Sequence, residues 1–181
     1  MHIGFAILLS EEAENYAREV ELELCSRFGV CWGLRQPPHI TVKPPFETVS
    51  LEPFVAYLTD LATDVRPFSV EIQGFGKFTD PGVIFLDVKS NPHLKGLQER
   101  IRDDLGKKFG IQPKAIEGAQ WKFHSSVALT DLSHDKLVTV WNSISKRKPH
   151  FEFTACTLAI FYYLGEDVGW IIIRKIQLGK K

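Results

Sequence analysis

The feature that most limits what this chain can fold into is a series of elements written twice. "HIGFAILLS" alternates and then runs apolar, as a strand does. Ser10 then stands where it can cap a helix in which Ala13, Tyr16, Val20, Leu24 and Phe28 recur at helical spacing until Gly29. "QPPHITVKPPF" supplies a second strand between two proline pairs. Ser50 can cap a second helix bearing Phe54, Leu58, Leu61 and Val65, and "PFSVEIQGF" turns Phe68, Val70 and Ile72 inward like a half-buried strand. The series then restarts. "GVIFLDVKS" reads as a strand, and Asn91-Pro92 opens a helix with Leu94, Leu97, Ile101, Leu105 and Phe109 on one face and Gly110 as its stop. "WKFHSSVAL" is the next strand, Ser133 caps a helix with Leu137, Trp141 and Ile144, and "PHFEFTACTLAIFYYL" reads as one long strand before "VGWIIIRKIQL". His124 follows His39 by 85 positions and Phe151 follows Phe68 by 83, so the chain reads as an internal duplication. The boundaries expected are one bilobal domain over residues 1–181, with repeats at about 1–80 and 81–165 and a closing strand at 168–178.

The third element of each repeat carries the same short device. His39-Ile40-Thr41 in the first becomes His124-Ser125-Ser126 in the second. Side chains two apart in a strand share a face, so His39 projects with Thr41 and His124 with Ser126. If the repeats pack about an approximate two-fold, two imidazoles and two hydroxyls surround one small volume. That set suits displacement at a phosphodiester. A neutral imidazole takes a proton from the attacking water, a protonated one delivers a proton to the departing oxygen, and each role is worth about 10²–10⁴-fold. Histidine titrates near ~6.5, so both forms exist near neutral pH. The hydroxyls can donate to the non-bridging oxygens as charge builds. By strand parity Lys43 and Lys122 fall on the histidine faces and add positive charge.

Composition narrows the remaining classes. Lys plus Arg and Asp plus Glu number 22 each in 181 residues, which is not the charge pattern of a high-affinity nucleic-acid binder. The basic run Lys146–Lys148 and the basic C-terminus read as solvated surface. No apolar stretch approaches the ~20 residues of a membrane span, and no secretory pattern opens the chain, so the expectation is a soluble, cytoplasmic protein that acts as a monomer. Cys25, Cys31 and Cys156 lack metal-site or disulfide-framework spacing and read as reduced core thiols. Neither histidine has a third ligand at strand or helical spacing, so no metal and no cofactor is expected. His2, His93, His134 and His150 have no partner of the paired kind; His93 and His134 fall in first helical turns and read as surface. The flanking proline pairs limit the first motif strand or hold His39 rigidly. Trp32, Phe46, Trp121 and Tyr163 are either core or a platform on which a base stacks.

At "PHITVKPPF" and "FHSSVAL" the chain resembles the two-histidine (2H) phosphoesterase superfamily, which includes the bacterial 2′-5′ RNA ligase-like proteins and cyclic nucleotide phosphodiesterases; the resemblance spans nearly the whole chain. It implies an α+β fold of duplicated β-α-β-α-β units, with two mainly antiparallel sheet lobes and outer helices around a central cleft. This displaces the parallel, doubly wound sheet that alternating elements suggest by default; no glycine-rich strand-to-helix turn marks a nucleotide site of that kind. It implies metal-independent hydrolysis of 2′,3′-cyclic or related phosphodiesters of an RNA terminus or a small cyclic nucleotide. His39 and Thr41 would form the first catalytic pair and His124 and Ser126 the second; the parity and aromatic readings above make Lys43, Phe46, Lys122 and Tyr163 the substrate-binding candidates. Two positions depart from the family pattern: Ser125 stands where an apolar residue is common, and Ser126 where threonine is commoner. A strand-joining 2′-5′ RNA ligase and a non-catalytic RNA- or nucleotide-binding module remain the alternatives, the first weakened by the balanced charge.

Overall fold

The structure, a computed structural model, describes residues 1–118 and 120–180. The element order is that of the doubled series: β1 (His2–Leu8), α1 (Glu11–Phe28), β2 (His39–Glu47), α2 (Glu52–Asp64), β3 (Phe68–Thr79), then β4 (Gly82–Val88), α3 (Pro92–Phe109), β5 (His124–Ala128), α4 (His134–Ile144) and β6 (His150–Ala155). Two strands close the chain, β7 (Thr157–Tyr163) and β8 (Trp170–Gln177). The punctuation works as local chemistry requires. Ser10 Oγ accepts the Ala13 amide and Asn91 Oδ1 the Leu94 amide, while Gly29 and Gly110 end α1 and α3 at φ 63° and 68°, a conformation that glycine adopts without steric cost. Helix α2 differs from expectation. Leu51 occupies its N-cap without a side-chain bond, and the Ser50 hydroxyl donates to Glu52 instead.

Among the described residues all strand pairs are antiparallel, in two four-stranded sheets ordered β2-β1-β7-β8 and β5-β4-β3-β6. With the four helices this is the α+β architecture that the resemblance implies. The spatial halves do not coincide with the sequence repeats, because β3, the last strand of the first repeat, lies in the second sheet between β4 and β6. Its counterpart in the first sheet is β7. Register displays the correspondence: Leu8 lies opposite His39 as Asp87 lies opposite His124, Ala6 opposite Thr41 as Phe85 opposite Ser126, and Gly4 opposite Phe161 as Val83 opposite Phe78.

The stretch expected as one long strand therefore breaks at Cys156, β6 serving the second sheet and β7 the first. Its burial changes there from alternation, with one face in water, to a continuous buried run in mid-sheet. The helices interlock the halves further. Tyr16 of α1 reaches Phe75 and Phe151 of the second sheet, and Phe109 of α3 packs on Phe54 and Tyr57 of α2, which lies along β7 and β8 of the first. The main hydrophobic core runs through both lobes, and a smaller cluster of Ala6, Ala159 and Phe161 lies apart from it.

The cysteines are not the reduced core thiols expected. Cys25 and Cys31 form a disulfide, and Cys156 is exposed. The left-handed turn at Gly29 folds the chain back at the end of α1 and brings two cysteines six apart within 4.4 Å at Cα, a closeness that linear spacing does not display. After this turn a short 3-10 segment, Trp32–Arg35, leads into β2, its start held by Asp131 Oδ2, which accepts from the amides of Cys31 and Trp32. Gly169, at φ 84°, backs onto this segment; a Cβ there would lie within 2.2 Å of the Arg35 carbonyl oxygen. Gly165, at φ 98°, has open space instead. Gly165→Ala should cost about 1–2 kcal/mol, the conformational penalty alone, and Gly169→Ala distinctly more because backbone must move. Urea unfolding of the two variants checks the order, and equal costs would refute the close approach.

Candidate active site

Strands β2 and β5 are the outer strands of their sheets on the side where the sheets meet, and they touch there. On β2, His39 and Thr41 are half-buried while Ile40 and Val42 are fully buried; on β5, His124 and Ser126 alternate in the same way with Ser125 and Val127. Pro44 and Pro45 lie within β2 and do not end it, as an edge strand permits. The two histidines are held alike. His39 Nδ1 lies 2.7 Å from the Pro37 carbonyl oxygen and His124 Nδ1 2.8 Å from that of Lys122, each two residues upstream. A carbonyl only accepts, so both Nδ1 atoms carry hydrogen, and Nε2 is the nitrogen left to take or give a proton. The rings are backed alike too. His39 packs on Phe161 at 4.2 Å, and His124 meets Phe78 at 5.2 Å and Phe85 at 4.9 Å. Phe161 and Phe78 hold equivalent places in the two sheets.

The electrostatics are less symmetric. Burial pushes the His39 imidazole down to about 4, the Pro37 hydrogen bond offsetting this only in part and His124 adding to it. Burial lowers His124 as well, where the Lys122 carbonyl opposes it, the Lys122 charge adds to it and Asp87 opposes it. The residue opposite His39 is apolar Leu8 and that opposite His124 is acidic Asp87.

A cavity of about 220 Å³ lies between the motif strands, lined by Gln36, His39, Thr41, Ser126, Phe161 and Trp170 among others. Sites that enclose a whole drug-sized ligand run to ~300–1,000 Å³, so this one suits a phosphate and its attached atoms. His124 opens onto a second cavity of about 640 Å³.

Of the four candidates for substrate binding, Lys43 lines the cavity of His39 and Thr41 and Lys122 the one beside His124, but the charge of each is engaged by a carboxylate, and Phe46 and Tyr163 line neither cavity. Lys43 does not lend free charge to the cavity. It is buried, and Glu117 takes its ammonium through both carboxylate oxygens at 2.9 Å. The register of β1 and β2 shifts between Phe5–Lys43 and Ala6–Thr41, beside this ion pair. Lys122 precedes β5, and its ammonium lies 2.5 Å from Asp87 while its carbonyl holds His124. Phe46 is a core residue wedged between Phe5 and Phe54, and Tyr163 packs on Trp170 and His2 without lining either cavity. The residues that sequence reasoning misses are Gln36, Phe161 and Trp170 around His39, and Phe78, Phe85 and Asp87 around His124. Phe85 and Asp87 are related to the second motif by strand register, and Gln36 stands three positions before His39. Among the described residues no three His, Cys, Asp or Glu side chains converge as a metal site, and no helix is long and apolar enough to cross a membrane.

Two measurements follow from this geometry. A histidine with its folded pKa depressed to about 4 against ~6.5 unfolded is held neutral by the fold. Stability is complete above pH ~6.5 and falls as pH drops from there toward 4, by on the order of 3 kcal/mol at most. NMR titration should place the His39 midpoint near 4, and unfolding at pH 7 and 4.5 should show a fall that His39→Asn reduces; an ordinary midpoint would refute the burial effect. Glu117→Gln should cost about 3–5 kcal/mol by stranding a buried ammonium, whereas Lys43→Met with Glu117→Leu should restore most of it. Chemical denaturation reads both, and a harmless Glu117→Gln would show the pair to be unimportant.

Comparison with known proteins agrees with the fold. A protein of Bacillus thuringiensis strain Al Hakam named "Putative phosphoesterase" is 38% identical over 186 residues, covering 99% of this chain and 98% of its own. Another from Bacillus cereus strain AH820 is 37% identical with the same coverage. Among solved structures, TT0787 of Thermus thermophilus superposes with a TM-score of 0.67 at 20% identity, over 99% of this chain and 98% of that one. Escherichia coli LigT in apo form gives 0.63 at 17%, with the same coverage, and LigT has also been solved with NADP+, 3′-AMP, ATP and phosphate. The model of the 2′-5′ RNA ligase superfamily matches residues 9–167, and the chain belongs to this superfamily of two-histidine phosphoesterases.

Proposed function

We propose that the protein is a metal-independent phosphodiesterase that opens 2′,3′-cyclic phosphodiesters at an RNA terminus or in a small nucleotide. The observation that carries this reading is the matched pair of imidazoles, each with Nδ1 tied to a backbone carbonyl and Nε2 free, at the junction of two edge strands. The fold shared with LigT, solved with 3′-AMP, ATP and phosphate, supports a nucleotide phosphate in the cleft. In the reaction water attacks phosphorus and loses a proton to one Nε2; the bond from phosphorus to one ribose oxygen breaks, and that oxygen takes a proton from the other Nε2. His39, held neutral by burial and facing Leu8, is the base. His124, facing Asp87, is the acid. Thr41 and Ser126 donate to the non-bridging oxygens. The same proton pair, with a ribose hydroxyl in place of water as the nucleophile, joins that hydroxyl to a cyclic end, which is the ligase reaction. In this reading the protein acts as a cytoplasmic monomer.

The test is turnover of 2′,3′-cyclic nucleotides and of an oligoribonucleotide with a cyclic end, in excess chelator. His39→Ala and His124→Ala should each lose about 10²–10⁴-fold in kcat, and Ser126→Ala about 10²-fold or more. The acid limb of kcat/KM should fall near pH 4 in wild type, where His39 gains its proton. No turnover of any panel member, or turnover untouched by both histidine substitutions, would refute the reading.

A further inference from the structure

The lead-ins to the two motifs are the same device, displaced by the 85 positions that separate His39 from His124. In the first, the Gln36 amide donates to the Gly33 carbonyl at 3.2 Å, and the Pro37 carbonyl then holds His39 Nδ1. In the second, the Trp121 amide donates to the Gly118 carbonyl at 3.0 Å, and the Lys122 carbonyl holds His124 Nδ1. Each lead-in is tied down seven residues before its histidine, at Trp32 and at Glu117. The tie on Trp32 is Asp131 Oδ2, which accepts from that amide at 3.0 Å and from the Cys31 amide at 2.6 Å; the tie on Glu117 is the Lys43 ammonium, 2.9 Å from both carboxylate oxygens. Asp131 follows β5, and Lys43 lies in β2 beyond Thr41, so each motif is followed by the residue that holds the other motif's lead-in. We propose that Asp131 and the Lys43–Glu117 pair are positioning residues, crossed ties that fix the separation and orientation of the two imidazoles; the proposal rests on the phosphodiesterase reading above.

Divided proton work makes such ties necessary. Both Nε2 atoms must come within hydrogen-bond reach of groups on one phosphorus, and a misplacement of ~1 Å can cost about 10²-fold in rate. A hydrogen-bonded ladder would fix that spacing, but β2 and β5 belong to different sheets. The ties act where no ladder does. The first lead-in is short and stiff: the Leu34 amide donates to the Cys31 carbonyl at 3.1 Å, and Gly33 lies so close to β5 that a Cβ there would fall 2.6 Å from the Val127 carbonyl oxygen. A shift at Trp32 is therefore carried to Pro37 and on to His39. Asp131 also stands where the chain is strained. Thr130, just before it, has φ 62°, the one non-glycine residue at positive φ among the described residues, and a β-branched residue keeps that conformation only where its surroundings hold it. Asp131 Oδ1 is buried without a partner, an unmet cost on one side of a carboxylate that serves two amides on the other. Both features belong to a residue placed for geometry more than for stability.

The experiment reads the rings first and the reaction second. Above pH ~7, where both histidines are neutral, NMR of the full chain with isotope-labelled imidazoles should show hydrogen on Nδ1 of His39 and of His124 in wild type. Asp131→Ala should move His39 toward a mixture with hydrogen on Nε2 and leave His124 as it is. Lys43→Met with Glu117→Leu, which restores packing without the directed bonds, should do the reverse. Asp131→Asn keeps an oxygen acceptor and should recover the wild-type His39 spectrum. In turnover of a 2′,3′-cyclic nucleotide, Asp131→Ala and the apolar pair should each lose about 10–10²-fold in kcat with KM near the wild-type value, and Asp131→Asn should regain most of that loss. A tied ring left unchanged, both rings changed alike by one variant, or full kcat in Asp131→Ala or in the apolar pair would overturn the ties. Wild type that turns over no cyclic phosphodiester overturns the phosphodiesterase instead, and the ring-by-ring pattern then decides the ties.

Discussion

Both motif strands are edge strands, and the cleft exists because the two sheets meet at these edges without joining into one. A hydrogen-bonded β2–β5 pair would give a continuous eight-stranded sheet with no room between the histidines. Pro44 and Pro45 help to prevent this by removing two backbone donors from β2. The Lys43–Glu117 pair joins the lobes by another route, since it links β2 of one sheet to the loop ahead of β5 in the other. That loop is fastened from several sides: Glu117 also accepts the Lys114 amide, and its carbonyl accepts from Arg102 of α3. A buried ion pair of this kind adds little net stability, but only one arrangement of the lobes satisfies it.

Within an approximate two-fold the proposed reaction needs an inequality, because one imidazole would have to be neutral while the other is charged. The backbone treats the histidines the same way, through the carbonyl two residues upstream and an aromatic ring from the third strand. The inequality enters through the neighbours. Leu8 against Asp87, and Ala6 against Phe85, are the same positions of the two sheets filled by different residues. Phe85 also explains Gly76: a Cβ there would lie 2.3 Å from the Phe85 ring, which backs His124.

Much of this architecture was legible where local chemistry decides. The caps at Ser10, Asn91 and Ser133 and the stops at Gly29 and Gly110 depend on residues within four positions of each other, so reading along the chain finds them. The motif strands were legible because His39 with Thr41 and His124 with Ser126 need only the two-residue period of a strand. Lys43 shows the limit. Strand parity places it on the cavity with His39 and Thr41, but parity cannot show that Glu117, far along the chain, takes its charge. Lys122 does line a cavity with His124, but its ammonium is engaged by Asp87 of the neighbouring strand.

Residue order alone was enough for the elements, the duplication, the two paired motifs and, through them, the superfamily. All of these are short-range or repeat by position, so they survive without knowledge of neighbours in space. Three-dimensional packing was needed to carry β3 across to the second sheet, to break one apolar stretch at Cys156 so that it serves both sheets, and to bring Cys25 to Cys31. Packing also set Asp87 opposite His124 and Leu8 opposite His39, and it turned Lys43 toward Glu117, 74 positions away. The sheet crossing, the strand break, the register partners and the ion pair share one physical reason. Each is a contact or a choice between segments far apart along the chain, selected by how the sheets bury their faces together, and no local propensity records such a choice.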